Sequence, residues 1–281
     1  MPFTLSHPAA VVPLARWLPL SALVAGAVAP DLYFLALQTM PVHDIEVPVL
    51  GLVTTTYAHT WPGIATFSLP IALCLWFLFH TVAKWPLIAL FPPQTRRQLC
   101  LLAVGSGRMA GIGLLAAVGG VVVGLGTHLL WDASTHREGW VGDLLPILGT
   151  WVVLPGMAVR LDELLFILSS ALGLVLLVWW WRRWSSTAPA GTDLARPWSE
   201  RQRVAILTLG GLGFVLLFAW LWQRQYWPVN HRGHFPLVLA VVIALHQIQQ
   251  GTVIAIMGYC LLWWGCGRAN GGRPVTPPES W

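Results

Sequence analysis

Charged side chains are scarce in this sequence. Of its 281 residues only 10% are charged, while 56% are hydrophobic and the mean hydropathy is +0.68. A soluble domain usually carries about a quarter charged residues. So little charge, together with 18 tryptophans, excludes an ordinary soluble protein and predicts an integral membrane protein. The formal charge of +5 does not indicate nucleic-acid binding, because the basic residues lie between apolar runs, where they act as topology signals.

Cysteine and the motifs of protein nucleophiles are nearly absent as well. The four cysteines form no CxxC pair, so neither a zinc finger nor a disulfide framework is indicated. Neither a GxSxG elbow nor an SxxK motif occurs. The glycine-rich stretch 119–126 contains no lysine and lies inside an apolar run, so it is not a phosphate-binding loop. Schemes that need a protein nucleophile are therefore disfavoured.

The sequence contains instead a series of apolar runs of membrane-spanning length. They predict an all-α, polytopic membrane bundle with about six spans, at about 18–37, 64–83, 110–131, 164–181, 204–222 and 236–264. The predicted domains are a metal-site membrane domain over 1–181, a cytoplasmic linker over 182–203, two C-terminal spans over 204–266 and a disordered tail over 267–281.

The basic residues assign the two sides of the membrane. Twelve of the sixteen fall on one side, which the positive-inside rule makes cytoplasmic, together with the C-terminus. We expect the membrane to be the bacterial cytoplasmic membrane. Eight of the eleven acids then fall on the outer side, as do four histidines, His43, His59, His128 and His136. The sides of the membrane were assigned from Lys and Arg alone, and yet most acids and four histidines fall on the same face.

The N-terminal segment has two interpretations. If 18–37 is a single span, His7 lies on the cytoplasmic side, far from the other candidates. If 5–31 forms a hairpin of two short helices with Arg16 at its tip, His7 returns beside Asp31. About twelve helical residues cover only about 18 Å, so the other helices would have to shield such a hairpin.

The stretch Gly124–His136, GLGTHLLWDASTH, is the strongest candidate for function. It places His128, Asp132 and His136 four residues apart at the end of a membrane-length segment. Residues at i and i+4 share one face of a helix, so His128 and Asp132 can address one point, and His136 can join them if the helix continues. Ionisable groups are costly there and are by default functional candidates. This pattern predicts half of a metal site.

Four motifs in order carry a resemblance to a known family: MPFTLSHPAAVVPL, Pro30-Asp31, His59-Thr60 and the run from Thr127 to Asp132. Over roughly residues 1–180 the chain resembles the membrane proteins of domain-of-unknown-function family 4184. More distantly it is similar to YdjM-like inner-membrane proteins, described as metal-dependent hydrolases, and faintly to the zinc-dependent phospholipase C group. The resemblance implies that the metal ligands are His7, Asp31, His59, His128 and Asp132.

The sequence departs from the distant relatives at 57–63. There it has one histidine, where the relatives carry two. Whether His43 replaces the second ligand stays open.

Imidazole nitrogen and carboxylate oxygen suit zinc, and also manganese or iron when carboxylates are added. A catalytic zinc site leaves one position for water, whose pKa falls to about 7. We therefore expect a membrane-embedded, zinc-dependent hydrolase that acts on a lipid-like ester or phosphoester at the outer membrane face. His136, Glu46 and Asp44 are the candidates for a general base. Membrane lipid is the expected partner, nucleic acid is not, and the oligomeric state is left open.

Two other functions stay open at this point. The same polar groups can line the path of a transporter or channel, or a polar or metal cluster can merely staple helices in a non-catalytic membrane protein. Locally, Asp132 can bond a neighbouring helix end, His128 can bond a carbonyl across the bundle, and Asp31 can belong to an interfacial turn. The positions of the candidate ligands distinguish these functions. If the side chains converge around an open cleft, the hydrolase is favoured, and if they converge without a cleft, the structural cluster is favoured. If they are far apart, neither function is supported.

Overall fold

The computed structural model of the protein describes residues 3–32, 45–47, 51–53, 55–105, 113–135, 140–154, 157–193, 198–225 and 237–269. These residues are predominantly helical, as predicted. Within the described ranges, four helices are long and apolar enough to cross a membrane, and they occupy Trp61–Ala89, Gly113–Thr135, Leu161–Thr187 and Glu200–Trp220. The prediction of an all-α membrane bundle is therefore confirmed.

The elements follow one another in chain order. The helices are α1 (Pro8–Val11), α2 (Leu20–Val28), α3 (Thr55–Ala58), α4 (Trp61–Ala89), α5 (Pro93–Gly105), α6 (Gly113–Thr135), α7 (Trp140–Leu144), α8 (Leu161–Thr187), α9 (Glu200–Gln225) and α10 (Leu237–Ala269). Two antiparallel hairpins pair β1 (Ile45–Val47) with β2 (Gly51–Val53) and β3 (Trp151–Leu154) with β4 (Met157–Arg160). Helix α4 contains π-helical turns at Ile64–Ser68 and Phe79–Ala83.

The N-terminal segment is a hairpin of short helices. Helix α1 is extended by a 3₁₀ turn over Val12–Arg16, the chain reverses after Arg16, and α2 runs back to a second 3₁₀ turn at Ala29–Asp31. Proline explains both irregular ends, because its missing N–H and fixed φ suit a first helical turn but not a helix interior. His7 consequently returns to the neighbourhood of Asp31, as the hairpin interpretation predicts.

Several stretches predicted as loops carry regular structure. The stretch between the predicted spans 64–83 and 110–131 contains the end of α4 and all of α5, and the stretches before 64–83 and after 110–131 each contain a β-hairpin. Helix α5 is not an apolar run, because polar residues such as Arg96 and Gln98 occupy positions that are buried in the fold. Arg96 donates to both carboxylate oxygens of Asp193, and Gln98 donates to backbone carbonyls. The predicted linker begins at 182, inside α8, which ends at Thr187.

The chain divides into two compact units that are not continuous in sequence. The first contains 1–77 and 110–184, and the second contains 78–109 and 185–281. The core of the second unit holds Trp85, Tyr259 and Trp263, and Tyr259 donates a hydrogen bond to the carbonyl of Pro86. All the predicted metal ligands belong to the first unit. The functional division predicted from the sequence is a separate question and stays a prediction.

The core of the first unit is built on a crossing of α2 and α6 in which the two backbones touch. A Cβ placed on Gly26 would lie 2.2 Å from the carbonyl oxygen of Val121, and one on Gly124 would lie 2.2 Å from that of Leu23. No side chain fits at either position. Small residues allow such an approach in membrane bundles. The crossing brings the C-terminal ends of α2 and α6 together, and these ends carry the candidate ligands.

Substitution of Gly124 by Ala tests this crossing against Gly126→Ala in the same helix. A Cβ at Gly126 would meet no atom within 4 Å. Overpacking typically costs about 1–3 kcal/mol, so we expect Gly124→Ala to lower the thermal unfolding midpoint of the detergent-purified protein. Gly126→Ala should leave it unchanged or raise it, because Ala is the better helix former. Equal midpoints for the two variants would contradict the described contact.

Candidate metal centre

Three separate elements each bring ligand atoms to one point. Asp31 ends the 3₁₀ turn after α2, His59 lies in the turn between α3 and α4, and His128 and Asp132 are one turn apart on α6. One ligand atom from each of these four side chains lies within 4.8 Å of the other three. The structure therefore contains a buried Asp/His cluster that can hold a metal ion.

The distances within the cluster resemble those of a coordination shell. The Nε2 atom of His128 lies 3.3 Å from Nε2 of His59, 3.5 Å from Oδ1 of Asp31 and 3.3 Å from Oδ2 of Asp132. The Nε2 atom of His59 lies 3.6 Å and 3.4 Å from the same two oxygens. Ligands about 2.0–2.1 Å from a tetrahedral ion are about 3.3–3.4 Å apart. Five edges of the cluster thus match a tetrahedron around one small cation.

A backbone contact fixes how His128 faces the cluster. Its Nδ1 lies 2.8 Å from the carbonyl oxygen of Ala27, which can only accept, so Nδ1 carries the proton. The lone pair of Nε2 then points to the cluster. A metal-binding histidine is usually held in this way by a bond from its other nitrogen. A carbonyl bond to His128 was considered above as an alternative to metal binding. In the structure it orients the free nitrogen of His128 toward the cluster.

A hydroxyl group holds Asp31 in place. The Oγ1 of Thr4 donates a 2.6 Å hydrogen bond to Oδ2 of Asp31, and the other oxygen, Oδ1, makes no hydrogen bond with the described residues. Oδ1 is the atom that faces His59 and His128. A buried carboxylate oxygen without a hydrogen bond is costly, and a cation at the centre of the cluster would remove that cost.

The turn that carries His59 is fixed by its neighbours on α4. Thr60 caps the start of α4 by accepting from the N–H of Gly63, and its hydroxyl donates to the carbonyl of Tyr57. A Cβ on Gly63 would lie 1.7 Å from that carbonyl oxygen, so only glycine allows the turn to close. The Oγ of Ser68 also donates to the carbonyl of Ala58. These bonds present the imidazole of His59 to the cluster.

His7 lies beside the four-residue cluster. Its ring stacks on His128, with centroids 4.1 Å apart, and meets Trp131 edge-on at 5.4 Å. Its Nε2 is 3.5 Å from Oδ1 of Asp132, the oxygen that the other histidines do not face. Burial lowers the pKa of His7 to about 4. The imidazole is therefore neutral at pH 7, the form in which histidine binds metals.

The cluster is mostly closed to solvent. His128 is fully buried, while the side chains of His59 and Asp132 retain 18% and 11% of their exposure. Access among the described residues is thus from the His59 side. An apolar groove of about 630 Å³ runs along α6 and α8 nearby, lined by Trp131, Thr135, Leu165 and Leu172 among others. Trp131 links the two features, because it also contacts His7.

The other predicted site residues are not placed by the structure. His43, Asp44 and His136 lie outside the described residues, and of Glu46 only the strand position in β1 is described. Helix α6 is described to Thr135. The role of Asp44, Glu46 and His136 as general bases, and that of His43 as a second ligand, stay predictions. Sequence reasoning missed Thr4 and Trp131 and did not identify Ala27 as the carbonyl that His128 contacts, because these residues have no distinctive pattern and act through their position.

Replacement of Thr4 by Val tests the support of Asp31. Val keeps the shape of the side chain but cannot donate to Oδ2 of Asp31. Losing such a supporting bond typically weakens metal binding about 10- to 100-fold. We expect that loss in a zinc titration of the metal-free protein. Thr252→Val is the matched control, because the hydroxyl of Thr252 donates to its own helix at Ile248. An unchanged affinity in Thr4→Val would contradict this role.

Comparison with known proteins gives a family but no characterised relative. No curated protein and no solved structure matches the chain, so the more distant likeness to YdjM-like proteins stays a prediction. A family model described as "Domain of unknown function (DUF4184)" matches residues 1–262. The match extends beyond the 1–180 expected from the motifs and includes the C-terminal helices. The chain belongs to the DUF4184 family.

Proposed function

We propose that this protein is a membrane-embedded metal-dependent hydrolase that acts on a lipid-like ester or phosphoester at the outer membrane face. Asp31, His59, His128 and Asp132 hold one divalent cation, and zinc is the metal proposed. The observation that carries the proposal is the convergence of four ligand atoms from three separate elements, with five of their six separations between 3.3 and 3.6 Å.

The chemistry of the ligands supports a cation over a purely hydrogen-bonded cluster. Two buried carboxylates lie within 3.6 Å of imidazole nitrogens, and the His59 and His128 nitrogens face each other at 3.3 Å. A hydrogen bond between them needs the proton of His59 on Nε2, whereas a cation between them would accept a lone pair from each ring. Buried charges are normally paired or coordinate metals. Two nitrogen and two oxygen ligands at these distances suit zinc.

Hydrolysis is the reaction that this set of groups best serves. A bound zinc ion supplies Lewis acidity and lowers the pKa of water toward neutrality. The residues of the chain hold that ion near the membrane interface: His128 is oriented by Ala27, Asp31 by Thr4, and His59 lies on the accessible side. Protein nucleophiles of the recognised motifs are lacking in the sequence, so water is the attacking group in this proposal.

The apolar groove indicates the substrate class. It runs between α6 and α8, two of the candidate membrane spans, and its described lining consists of four leucines, Trp131, Ala10 and four residues with hydroxyl groups. Such a lining suits an acyl chain, and Trp131, which lines the groove, also contacts His7 beside the cluster. Membrane lipid is therefore the partner we propose.

A structural metal site is the alternative that one observation favours. Closed sites with four protein ligands are usually structural, whereas catalytic sites keep one position open. Three of the four ligands here are at least nine-tenths buried. A staple of this kind would bind zinc and stabilise the fold without turnover, which the two experiments below distinguish from catalysis.

Metal analysis of the detergent-purified protein is the first test. We expect zinc in the wild type and its loss in Asp132→Asn and His128→Gln, because each removes a ligand. Asp143→Asn and His80→Gln are the matched controls; Asp143 is exposed on α7, and both lie outside the cluster. Zinc at 100 times its dissociation constant should stabilise the wild type by about 2.7 kcal/mol. Zinc that remains bound to purified Asp132→Asn would contradict the proposed metal centre.

Hydrolysis is tested on lipid bilayer nanodiscs. The wild type is incubated with fluorogenic acyl-ester and phosphoester lipids, after chelation and again after zinc is restored. We expect turnover that depends on zinc and is absent in Asp132→Asn but present in Asp143→Asn. If zinc raises the thermal stability but neither lipid class is hydrolysed, the metal site is structural and the proposed hydrolase activity is refuted.

A further inference from the structure

His7 is the buried group that the four-ligand cation does not explain. Its side chain is 1% exposed, and neither Nδ1 nor Nε2 makes a hydrogen bond with the described residues. Most buried polar atoms in proteins are satisfied, so an imidazole with two unsatisfied nitrogens points to a ligand. The segment around it is held firmly: the N–H of Phe3 donates to Ser170 on α8, and a Cβ on Gly173 would lie 2.8 Å from that of Ser6.

The two oxygens of Asp132 face different histidines. Oδ2 lies 3.3 Å from Nε2 of His128 and 3.4 Å from Nε2 of His59, whereas Oδ1 lies 3.5 Å from Nε2 of His7. The last distance is again close to the edge of a coordination polyhedron around a small cation. The carboxylate of Asp132 thus faces His59 and His128 with one oxygen and His7 with the other.

The stacking of His7 on His128 sets the spacing between the two imidazoles. The two rings are 27° from parallel, and their centroids are 4.1 Å apart. Cations bound in the planes of two such rings, on the two oxygens of one carboxylate, would be separated by about the ring spacing. Two-metal sites hold their ions about 3.5–4 Å apart. The ring geometry therefore fits a pair of ions.

We propose that Asp132 bridges two divalent cations. The first is the ion of the proposed function, held by Asp31, His59 and His128 with Oδ2 of Asp132. The second is bound by Nε2 of His7 and Oδ1 of Asp132. This inference rests on the proposed function for its first ion and adds a second site with its own ligand.

The second site also narrows the substrate class. Pairs of ions at this spacing serve phosphatases, nucleases and aminopeptidases, and in an in-line displacement at phosphorus they stabilise both the attacking and the leaving oxygen. Of the two substrate classes proposed above, the phosphoester of a membrane lipid is therefore the better match. The second ion has two ligands among the described residues against four for the first, so it binds more weakly.

Zinc titration of the full-length protein in detergent, after chelation, tests the pair. We expect two equivalents per chain in two phases, and one equivalent in His7→Phe, which keeps an aromatic ring against His128 but has no ligand atom. His80→Phe should retain two. Size-exclusion profiles and thermal midpoints establish that each variant is folded, and His7→Gln replaces His7→Phe if that variant is not.

Manganese gives a second readout that a merely structural role for His7 would not move. Two bridged Mn²⁺ ions at this spacing give a spin-coupled multiline electron paramagnetic resonance spectrum, and we expect it in the wild type. His7→Phe should show the six-line spectrum of an isolated ion. One equivalent in the wild type, or two equivalents in folded His7→Phe, overturns the second site while the first stands. No bound metal in the wild type overturns the proposed function itself.

Discussion

The contact between the backbones of α2 and α6 is the constraint on which the candidate site depends. Gly26 and Gly124 leave no room for a side chain between the helices, so the peptide groups of one pack directly on the other. At this separation the carbonyl of Ala27 reaches the ring of His128, and Asp31 reaches the same cluster one turn further on. A wider crossing would separate the carboxylate of Asp31 from Nε2 of His128. The glycines of α6 therefore matter to chemistry as well as to packing.

Burial and charge act together in the cluster. Carboxylates and imidazoles that are nearly inaccessible to water carry a desolvation cost that their mutual contacts offset only in part. The structure keeps the supporting bonds on the far side of each ligand: Thr4 holds one oxygen of Asp31, and Ala27 holds one nitrogen of His128. The atoms left facing inwards are the ones that a cation would bind.

The sequence predicted some of this arrangement and could not predict the rest. Spacing alone paired His128 with Asp132, because residues four apart on a helix share a face, and the count of basic residues placed the acids and histidines together. His7, Asp31 and His59 were brought in by family motifs, since nothing in their local sequence states where three distant segments meet. Helix α5 was missed because its buried Arg96 and Gln98 make it look like a polar loop. Which oxygen of Asp132 faces His7 and which faces His59 and His128 depends on side-chain orientation, and no sequence pattern predicts that orientation.

The described length of α2 has a consequence for how its ends are kept from lipid. From Leu20 to Asp31 the chain has twelve residues in helical turns, about 18 Å at the usual rise. The hydrocarbon layer of a bilayer is about 30 Å thick, so these turns alone do not cross it, and the backbone groups at their ends need cover from neighbouring helices. The contact with the glycines of α6 supplies part of that cover. The same contact that brings the ligands together therefore also shields the hairpin.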